Sequence, residues 1–167
     1  EPFIYTFGEE HQVYYRHVTN PGSIAYLASL EKDKRVKQVP EFTFQEGEKV
    51  SGFLLIGTME NLEPIYHYLK EKHFDHLNIY FAEDVSMKGY YWLQAFHHQA
   101  NKGNMIEKLV DRLNFSISKT MVFGDYLNDL DMFKVAGYSV AMENALPEVK
   151  ESADQIIGSN SQGSVLN

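Results

Sequence analysis

Met121-Val122-Phe123-Gly124-Asp125-Tyr126-Leu127-Asn128-Asp129-Leu130-Asp131-Met132 places two carboxylates, Asp125 and Asp129, and the Asn128 amide where a buried strand is expected to break into a helix. The apolar run 121–123 suits a parallel strand covered on both faces. Gly124 then permits a sharp exit that exposes Asp125 at the strand's carboxyl end. In open α/β sheets that edge is where ligands bind. A helix over roughly 128–136 is predicted to follow and to stop at Gly137, which would serve as its C-terminal cap.

Outward from this stretch, residues 98–167 alternate helix and strand. A helix from Gly103 carries Ile106, Leu109, Val110 and Leu113 on one face, and it leads into a strand at 120–124. Further strands near 138–142 and 155–157 flank a short helix that opens with Pro147. The fold class is therefore α/β, with a doubly wound parallel sheet in this half. Residues 1–97 have a different rhythm and are expected to form a separate α+β domain. Runs of β-branched and aromatic residues at 3–7 and 12–15 around Gly8 suggest a hairpin. Asn20-Pro21 offers an N-cap and a proline at the first helical position, and Ile24, Leu27 and Ala28 continue as a stripe. After a charged loop come a strand at 50–56 and a helix with Leu62, Ile65, Tyr66 and Leu69 on one face. Pro64 fits that helix only if it lies in the first turn. Strands at 77–81 and 90–96 complete an antiparallel sheet expected to carry both helices on one face.

Composition narrows the function. The 167 residues are 44% hydrophobic, enough for one ordinary domain or two small ones. The formal charge of −8 divides into −5 for residues 1–97 and −3 for 98–167, so neither half is basic and nucleic acid is not an expected partner. With no cysteine there is no disulfide framework, thiolate metal site or cysteine nucleophile. The longest apolar runs, such as Phe53-Leu54-Leu55-Ile56, are far too short to span a bilayer, so no membrane partner is expected and a cytoplasmic location fits.

Four segments in order carry a more specific signal: Asn101-Lys102-Gly103-Asn104, Gly124 through Met132, Ala141-Met142-Glu143-Asn144-Ala145, and Ala153-Asp154 through Ser159-Asn160. Over nearly its whole length the chain resembles the haloacid dehalogenase-like (HAD) superfamily, and within it the Cof-like phosphatases. Two positions depart from the family pattern. Tyr126 stands where glycine is common, and Glu143 replaces the frequent glycine before Asn144; both are expected to reshape the pocket without removing a ligand. The resemblance implies that residues 1–97 are a mobile cap and 98–167 the carboxyl-terminal part of a HAD-like core. The family's nucleophile lies in an Asp-x-Asp-Gly-Thr segment, which is absent from these residues; Asp129-Leu130-Asp131 lies in a predicted helix with no Gly-Thr after it. The chain, which opens on Glu1, is accordingly expected to be a fragment of a longer enzyme, inactive alone and in need of an N-terminal segment or another chain to complete its sheet.

Phosphoryl transfer needs an in-line nucleophile, a cation on the phosphate oxygens, and donors to the charge spread over them. Asp125 is the best Mg2+ ligand, because a hard cation prefers carboxylate oxygen and keeps several waters. The resemblance assigns Asn128 to the substrate phosphate, and Lys102 to both the nucleophile and the phosphate as a fixed catalytic cation. Asp129 would sit behind the metal, holding its waters or Lys102. Taken alone, an Asn-Asp pair at a helix start is more often a cap, and Lys102 an ordinary solvated lysine. The surrounding motifs reverse that weighting. Asp131 is expected to be an exposed helix residue. A calcium loop does not fit, since alternate positions from Asp125 meet Leu127 and no glycine stands sixth. The seven histidines form no helical His-x-x-x-His pair beside an acid, and the aromatic group Tyr90-Tyr91-Trp92 with Phe96 reads as sheet core.

The implied activity is Mg2+-dependent hydrolysis of a small phosphorylated metabolite, such as a sugar phosphate. The alternative is a non-catalytic binding or regulatory module that kept the fold and lost the nucleophile. A third reading, part of a P-type ion pump with a similar Gly-Asp-x-x-Asn-Asp loop, is disfavoured by the lack of a membrane span and by the match of the tail.

Overall fold

The computed structural model of the protein describes residues 1–165. The chain divides into two units, Glu1–His98 and a second that begins at Gln99.

The first unit is built on β1 (Pro2–Phe7), β2 (Gln12–Tyr15), α1 (Pro21–Ser29), β3 (Val36–Gln38), β4 (Lys49–Gly57), α2 (Met59–His73), β5 (Leu77–Glu83) and β6 (Tyr91–His97). Its six strands lie in the order β3-β2-β1-β4-β6-β5. All neighbours are antiparallel except β2 and β3, so the sheet is mixed rather than purely antiparallel. Strand β3 lies in the segment expected to be a charged loop. Asn20 opens α1 as predicted, its Oδ1 accepting the Ser23 N–H at 2.9 Å.

The two helices do not share a face of the sheet. Leu54 and Ile56 pack with Tyr26 and Leu27 of α1, whereas Phe53 and Leu55 pack with Leu62, Tyr66 and Leu69 of α2. Successive residues of a strand point to opposite faces, so α1 and α2 cover opposite sides. Leu54 and Leu93 are wholly buried, and each contributes on the order of 1.5–3 kcal/mol of burial. Pro64 is the sixth residue of α2, one turn later than expected. It leaves the Glu60 carbonyl without its helical donor. Both residues are exposed, which lets water take that place.

The second unit contains α3 (Lys102–Arg112), β7 (Met121–Gly124), α4 (Leu130–Val135), β8 (Tyr138–Met142), α5 (Pro147–Glu151) and β9 (Gln155–Ile157). The strands are parallel in the order β7-β8-β9. The predicted helix over 128–136 is in fact a 3-10 turn, Leu127–Asp129, followed by the short α4. Gly137 is not a left-handed cap: among the described residues only Gly47, Gly89 and Gly163 are glycines with positive φ. Glycine is needed at 137 because a Cβ there would run into the Ser118 backbone.

The core of this unit joins Val122, Met132, Phe133, Ala141, Ala145 and Val149, with Ile106 against it. Among the described residues, the expected two-sided cover of β7 is absent. Val122 is buried, but Met121 and Phe123 on the other face are 57% and 37% exposed. The stripe of α3 divides in the same way: Ile106 packs inward, while Leu109 and Leu113 are exposed. Among the described residues, β7 pairs with β8 alone.

Asp154 fastens β9 to β8. Its Oδ2 accepts the Ser139 backbone N–H at 2.7 Å and the Ser139 hydroxyl at 2.8 Å. These bonds hold its carboxyl below the ordinary aspartate value of 3.8. A depressed folded-state value means that the contribution to stability is fully present above pH 3.8 and is lost as pH falls through the folded value. Asp154→Asn should therefore flatten the acid limb of a thermal-melt series while leaving the fold intact near neutral pH. An unchanged acid limb would count against it.

Candidate active site

Helix α3 begins where Asn101 Oδ1 accepts the Asn104 N–H at 2.8 Å. That cap puts Lys102 in the first helical turn. A cation there opposes the helix dipole, a cost of about 0.3–1 kcal/mol, so the position needs a compensating partner. Asp129 supplies it: Lys102 Nζ donates to Asp129 Oδ1 at 2.5 Å. The Asp129 side chain is 4% exposed and that of Lys102 is 50% exposed, so an almost buried carboxylate anchors a lysine that still reaches solvent.

The other oxygen of Asp129 organises the strand exit. Oδ2 accepts the backbone N–H groups of Asp125 at 2.9 Å and Tyr126 at 3.1 Å. Asp125 is also fixed at its carbonyl, which accepts the Leu146 N–H at 3.2 Å. Gly124 does not provide an unusual backbone angle. Its role is close approach, because a Cβ at 124 would lie 2.5 Å from the Asp129 Cβ. Glycine there lets the Asp129 carboxylate fold back beneath the strand end.

Asp125 is half-buried. Its Oδ2 accepts from Asn160 Nδ2 at 3.2 Å, and its Oδ1 has no partner among the described residues. An open cleft of about 420 Å³ is lined by Lys102, Asp125, Asp129 and Asn160, with Phe123 and Met142 among its apolar residues. The structure thus brings Lys102, Asp125 and Asp129 together. Asn128 sits half-buried in the 3-10 turn and is not among the lining residues, nor are Tyr126 and Glu143, which were expected to reshape the pocket. Asp131 is half-buried and pairs with Lys134 at 3.1 Å instead of being freely exposed. Asn160 was missed as a site residue, although Ser159-Asn160 was already visible in the tail motif.

The donor set bears on a cation. No group of three His, Cys, Asp or Glu residues among those described is arranged to hold a metal. Asp129 has both oxygens committed to Lys102 and to the backbone, which leaves Asp125 Oδ1 as the available carboxylate oxygen. One such oxygen suits Mg2+, which characteristically binds through one or two carboxylates, substrate phosphates and several waters.

A family profile for haloacid dehalogenase-like hydrolases matches residues 4–167. The phosphatase YwpJ of Bacillus subtilis is 30% identical over 158 residues, which cover 83% of this chain and 52% of that protein. The protein named 5-amino-6-(5-phospho-D-ribitylamino)uracil phosphatase YwtE, also of B. subtilis, is 32% identical over 133 residues, covering 78% of this chain and 44% of its own. A solved haloacid dehalogenase-like hydrolase from B. subtilis superposes with a TM-score of 0.76 at 20% identity, over 98% of this chain and 62% of that one. The chain thus spans about half the length of these two curated relatives. No helix among the described residues is long and apolar enough to cross a membrane.

Proposed function

Since this chain belongs to the haloacid dehalogenase-like hydrolases, we propose that it is part of a Mg2+-dependent phosphatase acting on a small phosphorylated metabolite, such as a sugar phosphate. The observation that carries the reading is the Asp129 carboxylate, which ties a helix-opening lysine to the backbone of Asp125 at the carboxyl edge of a parallel sheet. The substrate class is supported by YwtE, named for a phosphorylated ribityl compound.

In this reading Asp125 holds the cation through Oδ1. When bound, Mg2+ supplies charge neutralisation at the phosphate oxygens. Lys102 sits as a fixed cation against the phosphate and the nucleophile, stabilising charge where it spreads in the transition state. Asp129 holds the Lys102 ammonium in place and keeps the strand exit in register. The family resemblance gives the Asn128 amide to the phosphate, a contact that requires the side chain to turn into the cleft it does not line here. Residues 1–97 act as the cap and 98–167 as the carboxyl-terminal part of the core.

The nucleophile comes from outside these 167 residues. Supporting this are the absence of Asp-x-Asp-Gly-Thr from the sequence and, among the described residues, the open edge of β7 with its exposed Met121 and Phe123. Without a nucleophile no covalent aspartyl intermediate can form, so the pure chain should hydrolyse a generic phosphate monoester no faster than a blank. Joined to a segment that carries the nucleophile, it should show Mg2+-dependent turnover. Turnover by the 167-residue chain alone would sink the proposed division of labour.

A further inference from the structure

Asn160 and Asn144 form a chain of contacts that ends on Asp125. Asn160 Nδ2 donates to Asp125 Oδ2 at 3.2 Å. Asn160 is itself held through its backbone, whose N–H donates to Asn144 Oδ1 at 3.0 Å, and the neighbouring Ser159 hydroxyl donates to that same oxygen at 3.2 Å. Asn144 belongs to the loop after β8, and Ser159 and Asn160 to the tail after β9. Two segments distant in sequence therefore bear on one carboxylate, the tail directly and the loop after β8 through it.

The chemistry of the links is specific. An amide donor on Oδ2 fixes the rotation of the Asp125 carboxylate and directs Oδ1 away from it, yet adds no charge to compete with a cation. An Arg or Lys at 160 would orient the carboxylate equally well but would repel a metal. Asn160 is exposed, and an exposed amide bond to a carboxylate is readily replaced by water. The Asn144 oxygen offsets this by ordering the Asn160 backbone before any ligand arrives. Partners of this kind, which orient a ligating carboxylate, commonly change metal affinity by 10–100-fold.

We propose that Asn160 is a positioning residue for Asp125, and that Asn144 sets Asn160, so that Asp125 Oδ1 is presented to a divalent cation. This rests on the reading of Asp125 as a metal ligand. The two links also differ in polarity: Asn160 acts through its N–H donor, Asn144 through its carbonyl acceptor. Asn144→Asp preserves the acceptor, whereas Asn160→Ala and Asn144→Ala each break the chain.

The test uses Mn2+ as the probe and the full 167-residue chain, with paramagnetic broadening of the Gly124 and Asp125 amide signals followed by NMR. In the parent chain, saturable broadening should centre on Asp125. Asn160→Ala should raise the Mn2+ concentration needed for half-maximal broadening about 10-fold, the low end of the usual range because the residue is exposed. Asn144→Ala should shift it in the same direction, and Asn144→Asp should stay at or below the parent value. Titrations of Asn160→Ala and Asn144→Ala that coincide with the parent would overturn the positioning role and leave the metal reading intact. No broadening at Asp125 in the parent would overturn the metal reading and the positioning role with it. If Asn160→Ala loses signal dispersion, Asn144→Ala decides the matter, since it leaves Asp125 and Asn160 themselves chemically unchanged.

Discussion

Lys102→Ala, made in a form of the protein that carries a nucleophile segment, is expected to slow phosphoester hydrolysis on the order of 10²–10³-fold, the scale seen when a fixed stabilising donor is removed. Metal binding should persist, because Asp125 keeps its backbone anchors on Asp129 and Leu146. The effect should fall on the rate at saturation, since charge on the transferring group is greatest in the transition state. Asp129→Ala should do more. It frees Lys102 and strips the acceptor from the Asp125 and Tyr126 N–H groups, costing about 1–3 kcal/mol of stability for a buried group left unsatisfied in addition to the loss of rate. Steady-state kinetics with a Mg2+ titration on each variant separate the two. Full activity in Lys102→Ala would remove that residue from the chemistry.

In the isolated chain, the amides of Met121, Val122 and Phe123 should exchange with solvent on the order of 10²-fold faster than those of β4, equivalent to about 3 kcal/mol less opening free energy. Strand β4 has a neighbour on both sides, β1 and β6, and the wholly buried Leu54 on one face. Strand β7 has one neighbour among the described residues and two large apolar side chains in the open. An edge of this kind recruits strands. Adding the nucleophile-bearing segment should slow exchange at all three positions, and without it the chain should associate as concentration rises. Hydrogen exchange followed by mass spectrometry or NMR on a verified monomer checks this. Protection at β7 equal to that at β4 would show that the second unit closes without a further strand.

Strands β8 and β9 were legible to the residue because each carries a short apolar run bounded by turn residues, although only β8 is buried. The association of Lys102 with Asp125 and Asp129 was legible from the order of the motifs. Asp129 was expected to hold either the metal's waters or Lys102, and the contact it makes is with Lys102. What remained hidden depends on three-dimensional placement. Strand β3 is only Val36-Lys37-Gln38, too short for alternation to register, and exists because β2 offers it an edge. The separation of α1 and α2 onto opposite faces is encoded in the alternate residues of β4, but a strand apolar on both sides looks the same whichever helix covers which face. The need for glycine at 124 is a contact with Asp129, five positions along, and not a local backbone preference. The contact from Asn160 to Asp125 spans 35 residues, and no periodicity relates the two.

The two oxygens of the Asp129 carboxylate act as a common datum, in the sense used for aligned machine parts. If Lys102 and Asp125 were each located only by its own helix or strand, errors in α3, β7 and the turn between them would accumulate in the gap where a ligand must fit. Instead both are gauged from a single rigid planar group on one buried side chain. A shift of the turn carries the Lys102 ammonium and the Asp125 backbone together. Alignment in this unit is therefore set by a length fixed in covalent geometry, and it tolerates breathing of the elements around it.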